Sequence, residues 1–142
     1  MDRVKVRFLL PEGTGIEAEW MWAIERSSTK CELDNSPFHV YGISHGDEFQ
    51  VQEAAGVKTF EKMLEKGGHR TIRLRFGRGK SHADFERVWG PLGDLGCTFE
   101  GSQIDQPLYS VDVLPGVDLK RVIDYLAELE AADVLEYEEA DC

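Results

Sequence analysis

Val4, Val6 and Phe8 alternate with Lys5 and Arg7 near the start of the chain, the period of two that marks a strand with one buried face. Pro11-Glu12-Gly13-Thr14-Gly15 interrupts the pattern. A second strand is predicted over residues 17–26, which carry Trp20, Trp22 and Ile24, and a third from Lys30 to Leu33 after the polar Ser27-Ser28-Thr29. Asp34-Asn35-Ser36-Pro37 is turn chemistry, because Asx side chains bond to their own backbone and Pro37 has no N–H to give a ladder. Phe38 and Val40 predict a further short strand, and the glycine-bearing turn from Gly42 to Asp47 leads into another at Glu48–Gln52. Residues 57–66 fit two patterns: Val57, Phe60 and Leu64 form a helical stripe, whereas Phe60, Lys62 and Leu64 share one strand face. Propensity favours the helix.

After Gly67-Gly68 the pattern is clearer. Ile72, Leu74 and Phe76 alternate with Arg73 and Arg75, giving a strand with one apolar and one cationic face. Ser81 suits the cap of a helix that begins at His82 and carries Phe85, Val88, Trp89, Leu92 and Leu95; Pro91 is expected to kink or shorten it, and Gly96 to end it. Cys97 and Phe99 predict a short strand, residues 102–107 a loop, and Tyr109, Val111 and Val113 a longer strand stopped by Pro115-Gly116. Asp118 suits the N-cap of a helix reaching Ala132, with Leu119, Val122, Ile123, Leu126 and Leu129 on one face. Val134–Glu139 is the last predicted strand. Strand-helix-strand-strand-helix-strand is the order of the ferredoxin-like split βαβ arrangement. The expected fold is therefore α+β: a small N-terminal β-rich module, barrel or meander, over residues 1–66, packed with a ferredoxin-like βαββαβ unit over residues 67–142. In that topology the first and last strands are antiparallel neighbours, so Arg73 and Arg75 are expected on one exposed face with Glu136 and Glu138 as their cross-strand complement.

Charge narrows the function. A net charge of −11 over 142 residues disfavours nucleic acid and anionic membrane surfaces as partners. The positions where RNA-binding sheets of this topology carry aromatics are here Arg73, Arg75, Ser110 and Asp112, so no stacking platform is predicted, and the face is expected to be solvated or covered by the N-terminal half. No apolar run approaches the length of a membrane span, and the first residues lack the apolar block of a signal peptide, which predicts a cytoplasmic protein. Cys31, Cys97 and Cys142 are odd in number and far apart, as suits reduced thiols.

Gly77-Arg78-Gly79-Lys80-Ser81 follows a strand and opens a helix, yet a phosphate-cradling P-loop needs glycine where this chain has Leu74. His39, His45, His69 and His82 show no metal-ligand spacing, no Cys-x-x-Cys pair exists, and no Gly-x-Ser-x-Gly elbow is present. No catalytic residue, cofactor or metal is predicted, and the chain reads as a non-enzymatic binding module. The stretch from Glu128 to Asp141 has seven carboxylates and no lysine or arginine, a solvated end or a docking surface for a cationic protein.

The run Leu33-Asp34-Asn35-Ser36-Pro37-Phe38-His39-Val40-Tyr41-Gly42-Ile43-Ser44-His45-Gly46-Asp47, with Trp22 ahead of it and Gly67-Gly68-His69-Arg70-Thr71-Ile72-Arg73 after it, resembles a bacterial family catalogued as domain of unknown function 4265. The resemblance implies a small N-terminal β module joined to the α+β half, with residues 57–66 a strand, and this reading is adopted over propensity. It implies no activity. Asp34, Asn35, Pro37, Gly42, Gly46 and Asp47 are explained by turn geometry, which leaves Phe38 and Tyr41 as the aromatic pair most suited to binding. Together with Asp47, Glu136, Glu138, Glu139 and Asp141 they are the candidate contacts for a basic protein partner. In its sharpest form this is an immunity- or antitoxin-type inhibitor acting by electrostatic complementarity on a basic toxin. The alternative is a regulatory module that binds a small molecule at the seam between the two halves.

Overall fold

The computed structural model describes residues 2–102 and 107–142. It has an α+β fold. Strands β1 (Arg3–Leu9), β2 (Ala18–Glu25), β3 (Lys30–Leu33), β4 (Glu48–Ala54) and β5 (Val57–Glu65) follow one another as antiparallel neighbours, and a short parallel pairing of β5 with β1 closes them into a barrel. The inward face carries Val6, Phe8, Met21, Ala23, Cys31, Leu33, Phe49 and Val51, all buried. Phe8, Phe49 and Phe60 pack with ring centroids 5.1–5.6 Å apart in the barrel core. The tryptophans of β2 face outward instead. Lys5 pairs with Trp22 and Arg7 with Trp20 across the β1–β2 ladder, and the cations of Arg3 and Lys5 lie 4.5 and 4.6 Å from the Trp22 ring centroid, so this outer face is held by cation–π contacts.

The helix that propensity favours over residues 57–66 does not form. Ala55 and Gly56 both have positive φ, 52° and 79°, which is the backbone of a two-residue hairpin turn whose twist matches antiparallel strands. Ala54 therefore pairs with Val57, and the chain returns along β4 as β5, as the family resemblance implied.

The second half comprises β6 (Arg70–Arg75), α1 (His82–Leu95), β7 (Thr98–Ser102), β8 (Leu108–Val113), α2 (Leu119–Ala131) and β9 (Glu136–Asp141). Its sheet runs β7-β8-β6-β9 with every neighbouring pair antiparallel. One face of the sheet packs against both helices: Ile72, Leu74, Phe76, Tyr109, Val111 and Val113 meet Phe85, Leu92, Val122 and Leu126. Phe85 stacks on Tyr109 at 3.7 Å between centroids, and the Tyr109 hydroxyl reaches His82 Nδ1 at 2.9 Å, so the buried ring keeps a polar partner. The Asp84 carboxylate accepts from Ser81 N–H at the start of α1, and the helix runs through Pro91 to its C-cap at Gly96. Asp118 caps α2 as expected. The loop predicted over residues 102–107 falls mostly on 103–106, outside the described residues. Among the described residues no helix is long and apolar enough to cross a membrane.

Candidate functional site

The other face of the β6–β9 sheet is where the halves meet. The connection between β3 and β4 crosses it, and polar contacts fix it there. The strand expected at Phe38–Val40 does not form, because the N–H groups of Phe38, His39 and Val40 all point at one carboxylate, Glu19 of β2, at 2.7–3.0 Å. Three successive amides around one anion form a nest and have nothing left for a ladder. Ser110 Oγ donates to Pro37 O and shares a hydrogen bond with Ser36 Oγ, and the Glu100 carboxylate on β7 accepts from Ser36 N and Asn35 Nδ2.

Arg73 is the centre of this face, and of the two expectations for it, solvated or covered by the N-terminal half, the second holds at this residue. Its side chain is only 4% exposed, beneath residues 37–41. Nε donates to Glu138 at 3.0 Å, Nη1 donates to Val40 O at 2.8 Å, and the guanidinium lies 4.5 Å from the Tyr41 ring centroid. Nη2 is buried with no hydrogen-bond partner among the described residues. Arg75, the next outward position, is exposed. Arg73, Arg75, Phe38, Tyr41, Glu136 and Glu138 are among the walls of a cavity of about 330 Å³.

Glu138 accepts hydrogen bonds from both Arg73 and the Tyr41 hydroxyl. Burial raises its pKa, but these hydrogen bonds and the Arg73 charge outweigh burial and hold it below the ordinary carboxylate value. A carboxyl with a depressed folded-state pKa adds stability above its unfolded pKa and loses it as pH falls through the folded one. Glu138→Gln should therefore melt below the wild type at neutral pH, and the gap should close on acidification below the ordinary glutamate range. Thermal melts of both proteins from neutral pH down to about pH 3 measure this; a gap independent of pH would mean that Glu138 acts without its charge.

A second cluster ties the end of the barrel to the sheet edge. Asp47 has no exposed surface: its carboxylate accepts from Ser44 N and Gly67 N, both at 2.8 Å, and from Lys66. Lys66 also reaches Asp141, which accepts from Ser44 Oγ, and Ser44 Oγ meets Thr71 Oγ1. Burial lowers the Lys66 pKa, yet the hydrogen bonds to Asp141 and Asp47 outweigh it and keep the ammonium above its ordinary value.

A third cluster was not apparent in the sequence. His45, from the turn before β4, and His69, just ahead of β6, lie with ring centroids 5.0 Å apart. His69 Nδ1 is 2.7 Å from Asp112 Oδ1 on β8, and His45 Nε2 is 3.2 Å from Asp34 Oδ1 at the end of β3. All four line a cavity of about 400 Å³.

The predicted contact residues thus divide. Phe38, Tyr41, Glu136 and Glu138 gather around one cavity. Asp47 and Asp141 belong to the Lys66 cluster, and Asp47, being fully buried, has no surface to offer a partner, contrary to its selection as a contact. Glu139 is exposed on β9, opposite Ile72. Arg73, His45, His69 and Asp112 are the residues that sequence reasoning missed; the glycine turns at Gly42–Gly46 and Gly67-Gly68, which bring the histidines together, were the available signal.

The fold is shared with a solved structure described as a novel crystal structure of a hypothetical protein from Neisseria gonorrhoeae, with a TM-score of 0.82 over 99% of this chain and 96% of that one at 14% identity. No curated protein matches the chain. The family model described as "Domain of unknown function (DUF4265)" matches residues 19–137, which takes in the barrel from β2 onward, the seam and nearly all of the second sheet, and the chain belongs to that family.

Proposed function

We propose that this protein is a non-enzymatic, ligand-binding regulatory module whose small-molecule site is the cavity between residues 37–41 and the β6–β9 edge. The observation that carries this reading is Arg73. A guanidinium N–H that is buried without an acceptor costs free energy, on the order of 1–3 kcal/mol for an unsatisfied buried group, and Nη2 is such a group among the described residues, on a side chain that lines the cavity. A ligand with a carboxylate or carbonyl oxygen would supply the acceptor once the guanidinium turns its covered Nη2 towards the cavity. Tyr41, 63% exposed, and Phe38 beside it offer apolar ring surface to its body. A cavity of about 330 Å³ suits a small organic molecule, and concave sites commonly form where two packed units meet.

Two hydrophobic clusters, one drawn from residues between Val4 and Met63 and the other from Ile72 to Tyr137, support the division into a β module over 1–66 and a second unit over 67–142. The sheet order β7-β8-β6-β9 with its two helical connections supports a ferredoxin-like assignment for that unit.

The test is a thermal-shift screen against a metabolite panel, since a ligand that binds only the folded state raises the melting temperature. A small planar acid or carbonyl compound is expected to stabilise the wild type. Tyr41→Ala, a change at an exposed position, should abolish that shift. A panel without any shift, or one whose shift survives Tyr41→Ala, rejects the site. A second reading, docking of a basic protein such as a toxin, is favoured by β9 being an outer strand with Glu136 and Glu139 exposed. Polylysine included in the same screen separates the two, because a shift from it that vanishes at moderate salt points to the acidic edge.

A further inference from the structure

We propose that His45, His69 and Asp112 form a binding site for a divalent transition-metal ion of zinc-like ligand preference, distinct from the Arg73 cavity. One ligand atom from each of the three lies within 4.8 Å of the others. Two imidazoles and a carboxylate are a donor set for zinc or a neighbouring transition metal; calcium and magnesium demand mostly oxygen. The surroundings match what such a site requires. A carboxylate accepts only, so the hydrogen bond to Asp34 places the His45 proton on Nε2 and leaves the Nδ1 lone pair free. Asp34 is itself held by Arg3 Nε at 2.9 Å, giving the ligand–carboxylate–cation relay that orients metal-binding histidines.

The plainer account is a pair of His–Asp hydrogen bonds stapling the seam. It explains His69 and Asp112, but not His45, whose Nδ1 is buried with no partner among the described residues. Nor does it explain why two imidazoles are brought to 5.0 Å between ring centroids, tilted by 49°. Gly46 sits so close to the second ring that a Cβ there would lie 3.3 Å from His69 Cδ2, and Gly67 packs so tightly on Gly46 that its own Cβ would fall 2.5 Å from Gly46 O. The two turns are built to bring these rings together. The three ligand residues line a cavity of about 400 Å³, which leaves room beside the ion for water or a further ligand.

The test is calorimetric titration of the full chain with Zn²⁺ after chelator treatment. One ion per chain is expected to bind. His45→Gln and His69→Gln should each weaken binding more than Asp34→Asn does, and Asp34→Asn, which removes only the orienting carboxylate, should weaken it about 10- to 100-fold. Cys142→Ser should leave it unchanged, because the exposed thiol at the chain end is the competing zinc ligand. Co²⁺ in place of Zn²⁺ should give visible absorption without a sulfur-to-metal charge-transfer band. Absence of saturable binding, binding that both histidine variants retain in full, or binding lost in Cys142→Ser would overturn the site. Should His69→Gln fail to fold, His45→Gln decides, since His45 is partly exposed in a turn.

Discussion

Asp47→Ala should unfold at a markedly lower urea midpoint than the wild type, with a loss of about 3–4 kcal/mol. The side chain is completely buried, and its removal strands the Ser44 and Gly67 amides and leaves Lys66 with Asp141 and the Gly42 carbonyl. Asp47→Asn keeps one acceptor oxygen and loses the charge, so it should cost about half as much. Lys66→Met should cost less, about 1–2 kcal/mol, because the ammonium is 40% exposed, but the carboxylate it leaves behind is fully buried and keeps only the Ser44 and Gly67 amides. The ranking is the informative part: an alanine variant no worse than Lys66→Met would mean that the carboxylate serves the lysine rather than the two backbone turns. Because those turns carry His45 and precede His69, Asp47→Ala should also weaken the histidine pairing, seen as greater exposure of both rings to chemical modification before global unfolding.

Most of the fold was legible because alternation and capping are local. Val4, Val6 and Phe8, or Ile72, Leu74 and Phe76, announce a buried strand face by themselves. Ser81, Gly96 and Asp118 mark helix ends for reasons contained in a few residues. Two segments could not be read this way. Residues 57–66 have helical propensity, and only the positive φ at Ala55 and Gly56, with a whole barrel to pair against, makes them a strand. Phe38–Val40 look like a strand, but Glu19, 19 to 21 residues away in sequence, takes their amides.

The site was less legible, because each of its elements is made by the approach of the two halves. Arg73 alternates with apolar neighbours and so reads as exposed; it is buried because residues 37–41 lie over it. His45 and His69 have no motif spacing, and the carboxylate that joins them, Asp112, comes from a strand far along the chain. The acidic end was read as one surface, yet Glu138, Asp141 and Glu130 are engaged internally, with Arg73, Lys66 and the Tyr137 amide respectively. Charge counts describe the chain; which charges face solvent depends on the seam.

Arg73→Met is the second large effect expected, a loss of about 3 kcal/mol. Methionine roughly preserves the volume, so packing is a small part of the change. What disappears is the donor to Val40 O and the cation that pairs with Glu138 and stacks on Tyr41. Arg73→Lys retains the charge, but a single ammonium cannot reach Glu138 in one direction and Val40 O in the other as a planar fork does, so it should recover less than half of the loss. Buried ion pairs are often neutral or costly when replaced by an apolar pair, and Arg73 already carries an unpartnered N–H. Its value therefore lies in fastening residues 37–41 to the sheet. Hydrogen exchange of the Phe38, His39 and Val40 amides tests that directly: in Arg73→Met they should exchange at lower protection than the β6–β8 ladder, whereas equal loss of protection across both would mean that Arg73 stabilises the sheet as a whole and not the seam.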